Sequence, residues 1–77
     1  MNDFKTVRLG DTGVPVVAVQ CMLYDIYKDS IYVHIDGDFG LETEAAVIAL
    51  QTSNGITVDG IVGPETWPVL IANWWRS

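Results

Sequence analysis

This chain of 77 residues lacks most of the devices that staple a small protein together. Its one cysteine, Cys21, cannot form a disulfide within the molecule. With a single histidine, His34, beside it, the roughly four Cys or His ligands of a structural zinc site are missing, so neither metal nor cofactor is expected. Basic residues are also scarce. Lys and Arg number 4 against 10 Asp and Glu, for a formal net charge of −6, and they form no cluster. Nucleic acid and anionic lipid, which call for basic patches, are therefore excluded as expected partners. No apolar run reaches the ~18 residues of a membrane span. The start, Met1-Asn2-Asp3-Phe4-Lys5-Thr6-Val7-Arg8, has no signal-peptide stretch, so the chain either begins in the cytoplasm or is a module of something longer.

What is present is apolar character, 49% of positions, too much for a disordered chain. The length fits one domain spanning residues 1–77. A chain of this size buries only about 60% of the surface its unfolded form exposes, so its core has to be efficient.

The chain also repeats itself. Ile35-Asp36-Gly37-Asp38-Phe39-Gly40-Leu41-Glu42-Thr43-Glu44-Ala45-Ala46-Val47 returns 23 residues later as Val58-Asp59-Gly60-Ile61-Val62-Gly63-Pro64-Glu65-Thr66-Trp67-Pro68-Val69-Leu70. Five of the thirteen positions are identical, and the apolar ones agree in character. Asp-Gly is a strong turn dipeptide because glycine takes positive φ without steric cost. An apolar residue then plugs inward, and a second glycine leads into a helix. Pro64 suits a first helical position, and Glu42 and Glu65 suit first turns, where negative charge complements the helix dipole.

Three helices are predicted. The first runs from near Pro15 to about Tyr27, with Val16, Val19, Gln20, Leu23, Ile26 and Tyr27 on one stripe. The second, Leu41 to about Thr52, turns Thr43, Ala46, Val47 and Leu50 inward and stops before Asn54-Gly55. The third, Pro64 to about Trp75, groups Trp67, Leu70, Ile71 and Trp74, with a first turn distorted by Pro68. Ser30 to Ile35 and Ile56 to Val58 have β-type composition and would form at most a small ribbon. The expected class is all-α: a small three-helix orthogonal bundle built on two Asp-Gly-x-x-Gly turn-into-helix devices.

Three ordered blocks carry a family resemblance. Leu9-Gly10-Asp11-Thr12-Gly13-Val14-Pro15-Val16 with Val19-Gln20 and Leu23 comes first; Asp36-Gly37-Asp38-Phe39-Gly40 with Thr43, Ala46-Val47 and Leu50-Gln51 follows. Gly55 to Trp67 with Leu70 closes the series. Over residues 7–70 the chain resembles the peptidoglycan-binding domain family, small three-helix modules attached to many bacterial and phage cell-wall hydrolases, endolysins among them; residues 71–77 are left as helix end and tail. A relative occurs in the propeptide of matrix metalloproteinases.

The resemblance implies a non-catalytic module, located in the cell wall or outside the cell or delivered by phage as part of a larger protein, that holds a hydrolase on peptidoglycan. The residues agree, since no Ser/His/Asp set or Cys/His dyad is available. The carboxylate pairs Asp36/Asp38 and Glu42/Glu44 lack the enclosed cleft that glycoside hydrolysis needs.

Most motif residues have structural tasks. Thr43 and Thr66 are expected to hydrogen-bond locally and close their turns. Gln20 and Gln51, beside apolar stripes, need partners for buried amides and are expected to clamp loop backbone groups. Peptidoglycan offers glycan N-acetyl groups and stem-peptide amides and carboxylates, for which Tyr32, Asp36, Asn54, Thr57 and Asp59 are the polar candidates. Sugar faces pack on indole rings, and Trp75 is the surface candidate, since Trp74 and Trp75 point about 100° apart on a helix.

The outward helix faces are apolar where this family often carries charge: Val17, Ala18, Cys21, Met22 and Tyr24 on the first helix, and Ala45, Ile48 and Ala49 on the second. Exposed apolar surface marks interfaces. The alternative reading is therefore a protein-interaction or prodomain-like module that binds a protein partner, or a second copy through Val17, Cys21 and Ile48.

Overall fold

Three helices form close to where the periodicity places them: α1 (Val14–Tyr27), α2 (Leu41–Asn54) and α3 (Thr66–Arg76). This computed structural model describes residues 4–77. Helix α1 has its most extensive packing with α3. Gly13, at φ 111°, turns the chain into α1, and its carbonyl accepts from the Val16 and Val17 amides. Helix α2 starts directly after Gly40 and ends in a left-handed Gly55 at φ 67°. The amides of Gly55 and Ile56 return to the carbonyls of Thr52 and Gln51, a Schellman closure that satisfies the last turn.

Helix α3 begins at Thr66, two residues after the expected start, so Glu65 precedes the first turn rather than lying in it. The cause is local. Gly63 O accepts from both Thr66 N (3.0 Å) and Trp67 N (2.9 Å), a tightened turn. The next helical bond would run from residue 68 to residue 64, and Pro68 has no N–H to donate.

Each predicted stripe supplies core. Val16, Val19 and Leu23 of α1, Ala46, Val47 and Leu50 of α2, and Trp67 and Leu70 of α3 are buried, while Ile26, Tyr27 and Ile71 pack half-buried at the margin. Trp74 departs from its stripe and is exposed, its indole N–H donating to Asp25 Oδ2 at 2.9 Å. Loops contribute the rest of the core: Val7, Val33, Phe39 and Val62. Burial of such side chains contributes about 1.5–3 kcal/mol each.

Among the described residues no strand forms, and the segments with β-type composition do not pair with each other. Two isolated antiparallel bridges occur instead, Val7 with Val62 and Thr12 with Asp38. Backbone pairing thus ties the N-terminal segment to both repeats: Val7 and Val62 exchange bonds of 3.1 and 2.9 Å, Gly10 N donates to Phe39 O, and Phe39 N donates to Asp11 O. The two inward plugs, Phe39 and Val62, are each held this way.

Candidate functional site

Helix α1 delivers Gln20, fully buried, to the first Asp-Gly loop. Its Nε2 donates to Asp36 Oδ1 (3.1 Å), Asp38 O (2.9 Å) and Thr43 Oγ1 (3.1 Å), and its Oε1 accepts from the amides of Asp36 (3.1 Å) and Gly37 (2.9 Å). Helix α2 delivers Gln51 to the second loop in the same way. Nε2 donates to Asp59 Oδ1 (2.9 Å), Ile61 O (3.0 Å) and Thr66 Oγ1 (3.0 Å), while Oε1 accepts from the amides of Asp59 (3.1 Å) and Gly60 (2.9 Å). Gln20 and Gln51 are therefore the loop clamps that their setting beside apolar stripes implied. Thr43 and Thr66 close their turns through a glutamine of the preceding helix, not through a local bond. Every buried side-chain polar atom among the described residues has a partner.

The two aspartates complete each clamp. Asp36 Oδ1 also accepts from Asp38 N, and Asp59 Oδ1 from Ile61 N, both at 2.9 Å. These backbone N–H donors, and next the clamping glutamine amides, hold both carboxyls below the ordinary carboxylate range. Such groups stay ionised at neutral pH, whereas a general acid requires the opposite shift. His34 Nδ1 lies 3.5 Å from the outer oxygen of Asp36.

The six candidate residues do not converge. Tyr32 and Thr57 are exposed on the loops, and Asp36 and Asp59 each commit one oxygen to the loop framework. Asn54 donates to Leu50 O (2.8 Å) and accepts from Asn73 Nδ2 (3.2 Å), which links α2 to α3. Trp75, 81% exposed, is the one that lines a concavity. That groove, about 850 Å³, runs along α3 and is lined by Phe4, Pro64, Trp67, Pro68, Ile71, Ala72, Trp75 and Arg76. Phe4 stacks on Trp67 at 4.8 Å, and the Trp67 indole N–H donates to Lys5 O at 3.0 Å, so the N-terminal segment forms part of the groove. A shallower depression of about 330 Å³, lined by Asp25, Lys28, Trp74, Trp75 and Ser77, shares Trp75 with it.

The groove was missed in the sequence although a signal existed. Pro68, Ile71, Ala72 and Trp75 form a second apolar stripe on α3, with Pro64 in the turn before it, beside the core stripe of Trp67 and Leu70. Among the described residues no three His, Cys, Asp or Glu side chains gather as a metal site, and no helix is long and apolar enough to cross a membrane.

Two clamped loops on three helices, with the buried side-chain polar groups all engaged in holding the loops, define a small all-α scaffold. The family described as "Putative peptidoglycan binding domain" matches residues 12–70, and the chain belongs to that family. It is similar to the zinc D-Ala-D-Ala carboxypeptidase of Streptomyces albus G, 36% identical over 62 residues that make up 80% of this chain and 24% of that enzyme. Among solved structures it resembles the SleB N-terminal domain, with TM-score 0.82 and 27% identity over 96% of this chain and 99% of that one. It also resembles a Burkholderia AP3 phage endolysin, with TM-score 0.78 and 41% identity over 88% of this chain and 25% of the endolysin. The chain spans half or less of the length of the curated relatives it matches. The shared scaffold is that of a peptidoglycan-binding module found with cell-wall hydrolases.

Proposed function

We propose that this chain acts as one non-catalytic module that binds peptidoglycan in the cell wall or outside the cell and keeps an attached or associated hydrolase on its substrate. The observation that carries this reading is the family match over residues 12–70, the span that contains both clamps. The matched carboxypeptidase and endolysin are both longer than this chain, which fits a binding unit joined to a separate catalytic unit. The absence of catalysis is supported by the chemistry of the loops. Their carboxylates are held ionised by backbone donors, and their amides and hydroxyls are engaged in the framework.

A pull-down on purified insoluble peptidoglycan tests the reading. The chain is expected to sediment with the wall and to stay bound as salt rises, because at −6 its long-range interaction with an anionic wall is repulsive and salt screens it over about 8–10 Å. Failure to sediment at any ionic strength overturns it.

A second reading, association with a protein or a second copy, is favoured by one observation: Val17, Cys21 and Ile48 are exposed on α1 and α2. Under that reading Val17→Lys together with Ile48→Lys abolishes a concentration-dependent dimer in sedimentation velocity. A monomer at all concentrations overturns its second-copy form.

A further inference from the structure

The groove on α3 differs from the rest of the molecule in its place along the chain and in charge. Five of the residues that line it, Phe4, Ile71, Ala72, Trp75 and Arg76, lie outside the segment that the family match covers. It is therefore built largely from side chains that flank the matched segment, joined to Pro64, Trp67 and Pro68 within it. No carboxylate lines it among the described residues, although the chain carries 10 acidic side chains. Of the 4 Lys and Arg residues, Arg76 lines the groove and Lys28 the adjoining depression. The one acid there, Asp25, accepts the Trp74 indole N–H. The end of α3 is thus the place where an acidic molecule offers an anionic ligand apolar surface and cations together.

Trp75 is the second element. It lines both concavities and is 81% exposed in the last turn of α3, so its indole stands between two adjoining hollows. An exposed indole is a platform for the C–H face of a sugar ring. The arginine supplies a fork of N–H donors suited to acetamido, peptide carbonyl and carboxylate oxygens. A volume of about 850 Å³ lies within the ~300–1,000 Å³ of ligand sites. Two hollows joined at one aromatic ridge suit a polymer that continues past the ridge.

We infer that the α3 groove is the glycan-strand site of this module: an N-acetylated amino-sugar stacks on Trp75, its acyl oxygens meet Arg76, and the strand continues past Lys28. This inference rests on the peptidoglycan-binding reading and adds the place and the component bound.

The test compares wild type, Trp75→Ala and Arg76→Glu on insoluble peptidoglycan. Wall glycan freed of stem peptides by amidase digestion, and stem peptide alone, are then added separately in ¹H–¹⁵N spectra. Trp75→Ala is expected to weaken wall binding about tenfold, the scale of one lost aromatic stack, and Arg76→Glu to weaken it further. The Trp75 indole resonance is expected to shift with glycan and not with stem peptide. Because Trp75 and Arg76 are exposed, unchanged thermal unfolding serves as the folding control for both variants.

If wild type sediments and both variants sediment equally well, the inference is overturned and the peptidoglycan-binding reading stands. A Trp75 resonance that moves with stem peptide alone overturns the assignment to glycan. If wild type does not sediment, both fall. A dimer that Trp75→Ala dissolves in sedimentation velocity makes the groove an interface between copies and overturns the inference.

Discussion

The two Asp-Gly loops use the same five-bond clamp, yet they do not open equivalent helices. In the first, Gly40 leads straight into α2 and Gly40 O accepts only from Glu44 N, at 3.0 Å. In the second, Gly63 O accepts from both Thr66 and Trp67, and α3 begins two positions later in the repeat than α2 does. One missing donor, the nitrogen of Pro68, accounts for the later start; the doubly used acceptor does not, since Gly13 O also accepts from two amides and α1 starts directly after it. The reach of the clamps also differs. Gln20 spans 16 residues to Asp36 across the long connection after α1, whereas Gln51 spans 8 residues to Asp59. Equal bonds thus close loops of unequal length, and the plugs they hold are unequal too, phenylalanine against valine. The clamp tolerates change in everything around it because its partners are backbone atoms plus one Asp and one Thr.

This comparison can be broken by mutation. The largest contrast is expected at the plugs: Phe39→Ala costs about 3–5 kcal/mol in urea unfolding, against roughly 2 kcal/mol for Val62→Ala, since the larger cavity relaxes less. Equal losses would show that the loops, not the plugs, set the core's tolerance. Next, Gln20→Ala and Gln51→Ala each strand the same buried loop groups and are expected to cost about 3 kcal/mol apiece. A difference of more than about 1 kcal/mol between them in denaturant midpoints would mean that the loop length being closed matters beyond the bonds themselves.

Smaller effects follow at the glycines. Gly37 and Gly60 hold φ of 80° and 74°, so alanine at either adds about 1–2 kcal/mol of left-handed strain. An added Cβ at Gly60 would stand 3.0 Å from Glu44 Cγ, against 3.4 Å from Val17 Cγ2 at Gly37, so Gly60→Ala should be the worse by thermal melting. Glu44→Ala is expected to remove that excess.

The smallest expected effect is in pH. Both aspartates have folded pKa values depressed below their unfolded ones, so their contribution is complete above the ordinary carboxylate range near 4 and is lost as pH falls through the folded values. Denaturant midpoints should therefore drop below about pH 4. Asp36→Asn and Asp59→Asn should each flatten that drop; a profile unchanged by both would remove the carboxylates from the clamp's energetics.

Much of this was legible because periodicity and turn chemistry are local. The stripe Val16, Val19, Gln20, Leu23 and the stop at Asn54-Gly55 depend on neighbours three or four residues away; the stripe is found as read, and the stop falls at Gly55, with Asn54 still inside the helix. The internal repeat exposed the paired devices. What local reasoning could not supply was the partner of each polar group. Thr43 and Thr66 looked like local turn formers, yet their partners are glutamines 23 and 15 residues earlier. The β-type composition of Ser30 to Ile35 was misleading for a similar reason. Val33 is buried as a core side chain while the segment's backbone joins no ladder. The candidate site was the least legible part: of Tyr32, Asp36, Asn54, Thr57, Asp59 and Trp75, only Trp75 lines either concavity.

By itself the sequence determined three helices, the two turn devices and the family, since each is encoded by spacing within about a dozen residues and by glycines whose φ no other residue adopts without strain. The tertiary structure decided two further things. It turned the N-terminal segment into a staple across both repeats, through Val7 to Val62 and Gly10 to Phe39, because unpaired backbone groups near a core must find partners wherever the fold brings them. It also assembled the α3 groove from Phe4 at one end of the chain and Trp75 at the other, a juxtaposition that no spacing along the chain records.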